Sequence, residues 1–578
     1  MNRKREISRR LVSPELEQPL PQDMHPVLRR VYAARGVVPA SLDTSLASLI
    51  PVSQLDYAAE AAERLAQARH AQEHVLVLGD FDADGATATA LIMTCLQAFG
   101  FESRSFLVPD RQVYGYGLSA PIVEVAAAAS PDLIVTVDNG ISSHAGVEAA
   151  SQHGIDVVVT DHHLPGKTLP DAAVIVNPNA PDNTFPSKAL AGVGVAFYVM
   201  AALGQRLAAD GLIEAAEARR VCAGCLDLVA IGTIADLVPL DHNNRVLVAQ
   251  GMARIRSGSS RPGIRALFSV AGRNIEDAAT IDLGFALGPR LNAAGRLTDM
   301  TVGINCLLAD NDDTALQLAT ELSRLNQQRR ELQTQMQSSA ELKLDGLEAE
   351  LGERVNDAVC LFDPGWHQGV VGLVATRIKE RVNRPVIAFA PADDPDKLKG
   401  SGRSVPGVHL RDVLAAIDAR NPGLMGRYGG HAMAAGLNLE KANLDAFKEA
   451  FSAEVAQYAE QIEDIERLWS DGELSPADIN LSMAETLRHA APWGQGFPEP
   501  AFDGHFELVD QRIVGEHHLK LKVRPVGGTQ PVEGIAFNHP DMLPVANGHE
   551  CKLVYRLDVN EFRATRRHQL VVQHIECV

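Results

Sequence analysis

HVLVLGDFDADG (residues 74–85) sets an unbroken apolar run directly against three aspartates at alternate positions, and this junction decides how the chain folds. A run of four or five Val and Leu residues ended by glycine is too short for a helix and has no polar face. It predicts a strand buried on both sides. Three more runs share the character, LIVTV (133–137), DVVVT (156–160) and AVIV (173–176), and each is followed by a turn and a helix-like stretch. That alternation predicts a parallel sheet with helices on both faces. In such sheets ligands bind beyond the carboxyl ends of the strands. The acids follow the rule: Asp80, Asp82 and Asp84 come after the first run, Asp138 after the second, and Asp161-His162-His163 after the third.

If the chain stays extended through GDFDADG, Asp80, Asp82 and Asp84 share one face. Carboxylates so grouped repel one another unless a cation lies between them. A calcium loop of the EF-hand kind would need a glutamate at its twelfth position, which holds Leu91 here. Any one of these acids could be a helix cap or a surface charge. Together with Asp236 in AIGTIADLVPL (230–240) they predict one metal site instead. Carboxylates mixed with imidazoles suit Mn²⁺ or Mg²⁺, and two such ions about 4 Å apart can activate water and stabilise the leaving oxygen of a phosphodiester.

The rest of the chain bounds this reading. At 578 residues it exceeds a single core and is expected to form several domains. Its 53 basic and 73 acidic residues leave a net charge of −20, so contact with nucleic acid has to come from a local basic groove. No stretch approaches the roughly 18 uninterrupted apolar residues of a membrane span. The start, MNRKREISRRLVSPE, lacks the apolar segment of a secretory signal. The seven scattered cysteines do not look like a disulfide framework, and the Cys222/Cys225 pair reads as part of a helix. A cytoplasmic protein that binds no membrane is expected.

The DHH triplet at 161–163, together with GDFDADG, VTVDNGIS (135–142) and GTIADLVPL (232–240), resembles the DHH phosphoesterase superfamily. GGHAMAAG (429–436) resembles the DHHA1 subdomain that closes the active-site cleft in that group. LAGVGVAFY (190–198), LGPRLNAAGRL (287–297), LFDPGWHQGVVG (361–372) and the ending after PWGQGFPEP (492–500) are similar to its bacterial single-strand exonucleases, a likeness that covers nearly the whole chain. The resemblance implies that Asp82, Asp84, Asp138, His162 and Asp236 ligate two divalent ions, Mn²⁺ or Mg²⁺. Asp80 belongs to the same cluster, His163 sits beside the scissile phosphate, and Asp161 orients a histidine. Asp227 competes with Asp236 for the fourth motif, and Asp236 is preferred because it lies in the matching segment.

Arg111 in PDRQVYGYG, Arg290, Asn292 and Arg296 in a Gly-rich turn, Ser401 and Arg403 in GSGRS, and His431 are the candidates for holding substrate. Trp366 and His367 either stack on bases or pack. The expected architecture is α/β. An N-terminal segment (1–50) packs on a parallel-sheet DHH domain (51–305), a long helix (306–350, about 50 Å over its uninterrupted part) leads to a smaller α/β DHHA1 domain (351–460), and an antiparallel OB-like β-barrel (461–578) follows. In the barrel, Lys520, Lys522, Arg524, Arg563, Arg566 and Arg567 with Phe537 and Phe562 are candidates to meet unpaired bases.

The function expected from the resemblance is 5′-to-3′ exonucleolytic hydrolysis of single-stranded DNA to mononucleotides in recombination and repair. Single-strand-binding protein and a RecQ-type helicase are the expected partners of a monomer. The rival reading is a phosphodiesterase of the same superfamily that acts on small nucleotides or short oligoribonucleotides.

Overall fold

The computed structural model describes residues 4–110, 114, 117–351, 358–462, 465–515, 517–562 and 565–577. Two compact units emerge, Ile7–Ser323 with Trp469–Val578, and Arg324–Leu468 with Met1–Glu6.

The larger unit begins within strand β1 (Lys4–Arg9). Its central sheet holds β2 (Val75–Leu78), β3 (Arg104–Leu107), β4 (Leu133–Val137), β5 (Asp156–Thr160) and β6 (Val174–Val176), all parallel, in the order β3-β2-β4-β5-β6. β2 and β4 are buried at every residue, as unbroken apolar runs require when helices cover both faces. β3 escapes a reading by apolar runs because it is a half-buried edge strand with the sequence RSFL. The order reverses between β2 and β4, and that crevice is where ligands bind in doubly wound sheets.

Helix Gly192–Ala209 has the length and apolarity of a membrane span, yet most of its residues are buried against the helices Ala58–Ala71 and Ala83–Ala98. It is a core helix of this unit.

The smaller unit carries β7 (Val359–Phe362), β8 (Val386–Pro391), β9 (Lys397–Arg403), β10 (Tyr428–Gly430) and β11 (Ala434–Glu440), ordered β10-β11-β9-β8-β7. The β7–β8 pair is parallel and the other three pairings are antiparallel. Phe389 packs edge-on against Phe447 at 5.6 Å within its core. The long helix runs over Asp312–Leu351, 40 residues, or about 60 Å at 1.5 Å per residue. It continues past Gly346, beyond the uninterrupted stretch visible in sequence.

β12 (Ile465–Ser470) precedes a closed barrel of β13 (Phe502–Val514), β14 (His518–Pro525), β15 (Val532–Ala536), β16 (Glu550–Phe562) and β17 (Thr565–Cys577), ordered β13-β14-β15-β17-β16. Four of its pairings are antiparallel, and the β15–β17 pairing that completes closure is parallel. Cys551 and Cys577 oppose each other across β16 and β17 and form a disulfide. The cysteine spacing concealed this pair, because strand register and not sequence distance brings the two thiols together. Arg9 forms an ion pair with the buried Asp503 of the barrel at 2.7 Å, and Arg35 pairs with Asp471 at 2.9 Å.

Two local expectations are corrected. The segment after Asp80 does not stay extended: Asp82 caps helix Ala83–Ala98 and Asp84 lies in its first turn. Arg290, Asn292 and Arg296 sit on helix Gly288–Leu297 and not in a turn, because the glycines there serve close packing. A methyl group at Gly295 would overlap the carbonyl oxygen of Phe81. The first four residues of GSGRS, Gly400 to Arg403, end β9, where Gly400 and Gly402 make room for Phe389 and Leu410.

The contact of Gly295 yields a first prediction. Gly295→Ala is expected to cost about 1–3 kcal/mol, read as a lower urea midpoint, and to weaken metal binding because Phe81 lies between Asp80 and Asp82. An unchanged midpoint and unchanged metal affinity would show that the acidic loop does not depend on this helix.

Candidate metal centre

Asp236 caps the carboxyl end of helix Leu226–Ala235, and each of the other acids is placed by the end of a strand or the start of a helix. Asp80 follows β2 and accepts a hydrogen bond from the Phe81 N–H at 2.7 Å. Asp82 Oδ1 accepts from the N–H groups of Asp84 and Gly85. Ala83 N–H donates to Asn292 Oδ1 at 2.7 Å, so the two side chains cap this helix end together.

Asp84 is buried and receives the Gly192 N–H on Oδ2 at 2.6 Å and the Val193 N–H on Oδ1 at 2.9 Å, at the start of helix Gly192–Ala209. Gly192 is required there, because a Cβ would come within 2.6 Å of the Asp138 Cβ. Asp138 follows β4 with φ +62°, a left-handed conformation that Asp tolerates better than most residues.

His162 Nε2 lies 3.0 Å from Asp138 Oδ1 and 3.5 Å from Asp236 Oδ2. Asp161 faces the other way. Its Oδ1 accepts from the backbone N–H groups of His162 and His163 and lies 2.8 Å from His163 Nδ1, while its Oδ2 accepts from Ile141 N–H. Asp161 thus orients His163 and pins the loop. Asn177 and Asn179 support it by donating to the carbonyls of His163 and His162.

Three overlapping groups have donor atoms within 4.8 Å of one another: Asp80, Asp82 and Asp138; Asp84, His162 and Asp236; and Asp138, His162 and His163. The electrostatics call for a cation among them. Burial, reinforced by the charge of Asp82, raises the Asp84 carboxyl to about 7. Burial with Asp84 and Asp82 raises Asp236 to about 9, and the same causes push Asp138 upward. Burial opposes charge on His163 as well, but its hydrogen bond to Asp161 and the charge of the surrounding acids outweigh it and raise this imidazole to about 9. Asp161 itself is held below the usual carboxylate range, since its hydrogen bonds and the charge of His163 overcome the burial cost. An all-oxygen and imidazole donor set of this charge fits hard or borderline divalent ions.

Asp227 is elsewhere, buried in an ion pair with Arg261 at 3.2 Å. Cys222 and Cys225 lie buried at helix ends, with the Cys225 sulfur 4.0 Å from that of Cys95. Arg290 donates to the Ala286 carbonyl and to Ser323 Oγ, and Arg296 lies in the last turn of the same helix. Arg111 and Arg563 fall outside the described residues.

In the smaller unit, Arg403 Nη1 donates to Ser401 Oγ at 3.1 Å. A Cβ at Gly372, in the first turn of helix Val371–Val382, would come within 2.8 Å of that hydroxyl, so a helix N-terminus lies over both side chains. His431 is an exposed residue in the β10–β11 hairpin, where its N–H donates to the Ala434 carbonyl. Trp366 is buried and packs; His367 Nδ1 accepts from Gly369 N–H.

On the barrel, Lys520 pairs with Glu533, Arg524 with Glu507, and Arg566 with Asp277 and Glu485. Lys522 and Arg567 are exposed with no ion pair among the described residues, and Phe537 is exposed beside His518.

Sequence reasoning missed the clamp of Gly192 and Val193 on Asp84, the capping role of Asn292, and the two asparagines. Asn177 and Asn179 stand in an Asn-rich turn, a signal that was available. The clamp joins positions 108 residues apart and left no local trace.

Fold and site together define an α/β protein with a carboxylate and imidazole centre for divalent metal. Family models match in three places: the DHH family N-terminal domain over residues 74–233, the DHHA1 domain over 355–457 and the RecJ OB domain over 470–574. The single-stranded-DNA-specific exonuclease RecJ of Dickeya dadantii is 52% identical over 567 residues, covering 97% of this chain and 98% of its own length. The crystal structure of RecJ from Thermus thermophilus in complex with Mn²⁺ superposes with a TM-score of 0.81 at 30% identity, over 100% of this chain and 80% of that one. Its Mg²⁺ complex gives a TM-score of 0.75 at 28% identity, over 100% and 79% of the two chains. The chain belongs to the RecJ family.

Proposed function

We propose that this chain is a 5′-to-3′ exonuclease that hydrolyses single-stranded DNA to 5′-mononucleotides at a two-metal centre. The observation that carries the reading is the convergence of three overlapping donor groups at the β2/β4 crevice. The matching RecJ OB domain favours a polymeric substrate over a small nucleotide.

Asp82, Asp84, Asp138, His162 and Asp236 hold the ions, with Asp80 in the same cluster. Divalent ions bound there supply activation of water and neutralisation of charge on the phosphodiester. Gly192 and Val193 N–H groups fix Asp84, so its carboxylate needs no rearrangement when an ion enters. His163, held by Asp161, places a hydrogen-bond donor or a proton beside the phosphate.

Arg111, Arg290, Asn292, Arg296, Ser401, Arg403 and His431 contact the strand. The capping bond of Asn292 to Ala83 gives that residue a positioning role in addition. The domain divisions near residues 50, 305, 350 and 460, a monomeric state, cytoplasmic location, and work in recombination and repair beside single-strand-binding protein and a RecQ-type helicase belong to the same reading.

The test is incubation of the chain and Mn²⁺ with 5′-labelled and 3′-labelled single strands and the matching duplexes. Immediate release of labelled mononucleotide from the 5′-labelled single strand alone is expected. Earlier release from the 3′ label, or equal attack on blunt duplex, would overturn the reading.

A further inference from the structure

Three large apolar side chains are left exposed on segments that carry metal-centre residues or pack against them. Leu164 follows His163 directly and is 66% exposed, Leu237 follows Asp236 directly and is 68% exposed, and Phe285 is 74% exposed. Single exposed apolar residues are ordinary on any surface. Two of these carry a second, independent irregularity.

Leu237 has φ +61°, a left-handed conformation that a branched side chain adopts at a cost. Phe285 lies within a π-helical turn, Leu283–Leu287, a rare form that recurs at functional sites. The two are tied to the same place. A Cβ at Gly284 would lie 3.4 Å from Ile234 Cγ2, and one at Gly288 would lie 3.2 Å from the Ala235 Cβ, so the π-turn packs on the helical residues that lead into Asp236. The helix that continues from this turn then reaches the acidic loop through Asn292 and Gly295. Burial does not explain why a strained leucine and a phenylalanine, each within a few residues of this contact, face solvent.

Resting on the proposed function, we infer that Leu237 and Phe285 form an apolar ledge that receives the unpaired bases of the strand whose phosphate lies at the metal centre. Every base offers a flat apolar face, so contact of this kind tolerates any sequence. A paired base has its faces covered by its stacked neighbours, so the same ledge disfavours duplex. The occupant is set by continuity: a phosphodiester drawn to ions held by Asp138, His162 and Asp236 would carry its adjoining bases to the residues bordering them.

The test compares a normal single strand with one whose first five nucleotides at the 5′ end lack bases. The unmodified chain is expected to prefer the normal strand by roughly 10-fold in kcat/KM. Phe285→Ala and Leu237→Gly are each expected to lower kcat/KM on the normal strand roughly 5- to 10-fold and to spare the base-free strand. The preference then collapses toward unity, while Phe285→Tyr retains it. Leu237→Gly suits the left-handed backbone, so its melting temperature is expected to stay level or rise.

Variants that keep the full preference overturn the inference. So do variants that lose both substrates equally, since that result indicates a structural role only. If the unmodified chain shows no Mn²⁺-dependent hydrolysis of either strand, the proposed function falls and this inference falls with it. Hydrolysis with unaltered variants removes this inference alone.

Discussion

Asp138→Asn is expected to leave the fold intact and to reduce release of mononucleotides by roughly 10³-fold or more, equivalent to about 4 kcal/mol of transition-state stabilisation. The substitution isolates charge from shape. Asparagine tolerates φ +62° as aspartate does, so the backbone at the end of β4 is undisturbed. What is lost is an anionic oxygen 3.0 Å from His162 Nε2 that belongs to two of the three donor groups. Single-turnover cleavage of a 5′-labelled strand, alongside circular dichroism of the same preparation, measures both effects. A variant retaining a tenth of the rate would remove Asp138 from the metal set. Asp227→Asn is the contrasting control. It breaks the buried pair with Arg261, so about 3–5 kcal/mol of stability is expected to be lost, while the molecules that remain folded cleave at the normal rate.

The second large effect is on stability. Asp84, Asp236 and Asp138 are raised above their ordinary values by burial and mutual repulsion. A carboxyl whose folded pKa exceeds its unfolded value binds more protons in the native state. Its contribution is favourable at low pH and is lost as pH rises toward the folded pKa. The metal-free chain is therefore expected to lose stability progressively from about pH 4, the ordinary carboxyl value, up to about pH 7 for Asp84 and about pH 9 for Asp236.

Mn²⁺ supplies the missing counter-charge. At pH 8.5 and a hundredfold excess over its dissociation constant it is expected to add about 2.7 kcal/mol, and the same Mn²⁺ concentration is expected to raise the melting temperature less at pH 5.5, where protons compete for the carboxylates. Asp161 works in the opposite sense: its lowered pKa contributes stability above the unfolded value that is lost only in acid. Melting curves at the two pH values, after chelation and after Mn²⁺ is restored, test this. A metal-induced shift that is absent, or greater at pH 5.5, would refute the electrostatic account.

Much of this was legible in the chain. Four apolar runs fell on β2, β4, β5 and β6; β2 and β4 are buried throughout, as apolar strands covered on both faces are, and the acids stood at the carboxyl ends of β2, β4 and β5. The half-buried β3 gave no comparable signal, and the π-turn at 283–287 had none at all. Asp236 was chosen over Asp227 by motif. The structure gives the physical distinction, one acid 3.5 Å from His162 and the other paired with Arg261.

Local sequence determined the strands, their order of appearance and the chemical types gathered at their ends, since apolar periodicity and residue chemistry act over a few neighbouring positions. Only the tertiary structure decided which atoms meet. The bonds of Asp84 to Gly192 and Val193, the cap of Asn292 on Ala83 and the disulfide between Cys551 and Cys577 join segments separated by 108, 209 and 26 residues. Such contacts depend on packing and register, which no short stretch of sequence encodes. The same cause turned GDFDADG from an extended row of carboxylates into a helix start whose acids face different neighbours.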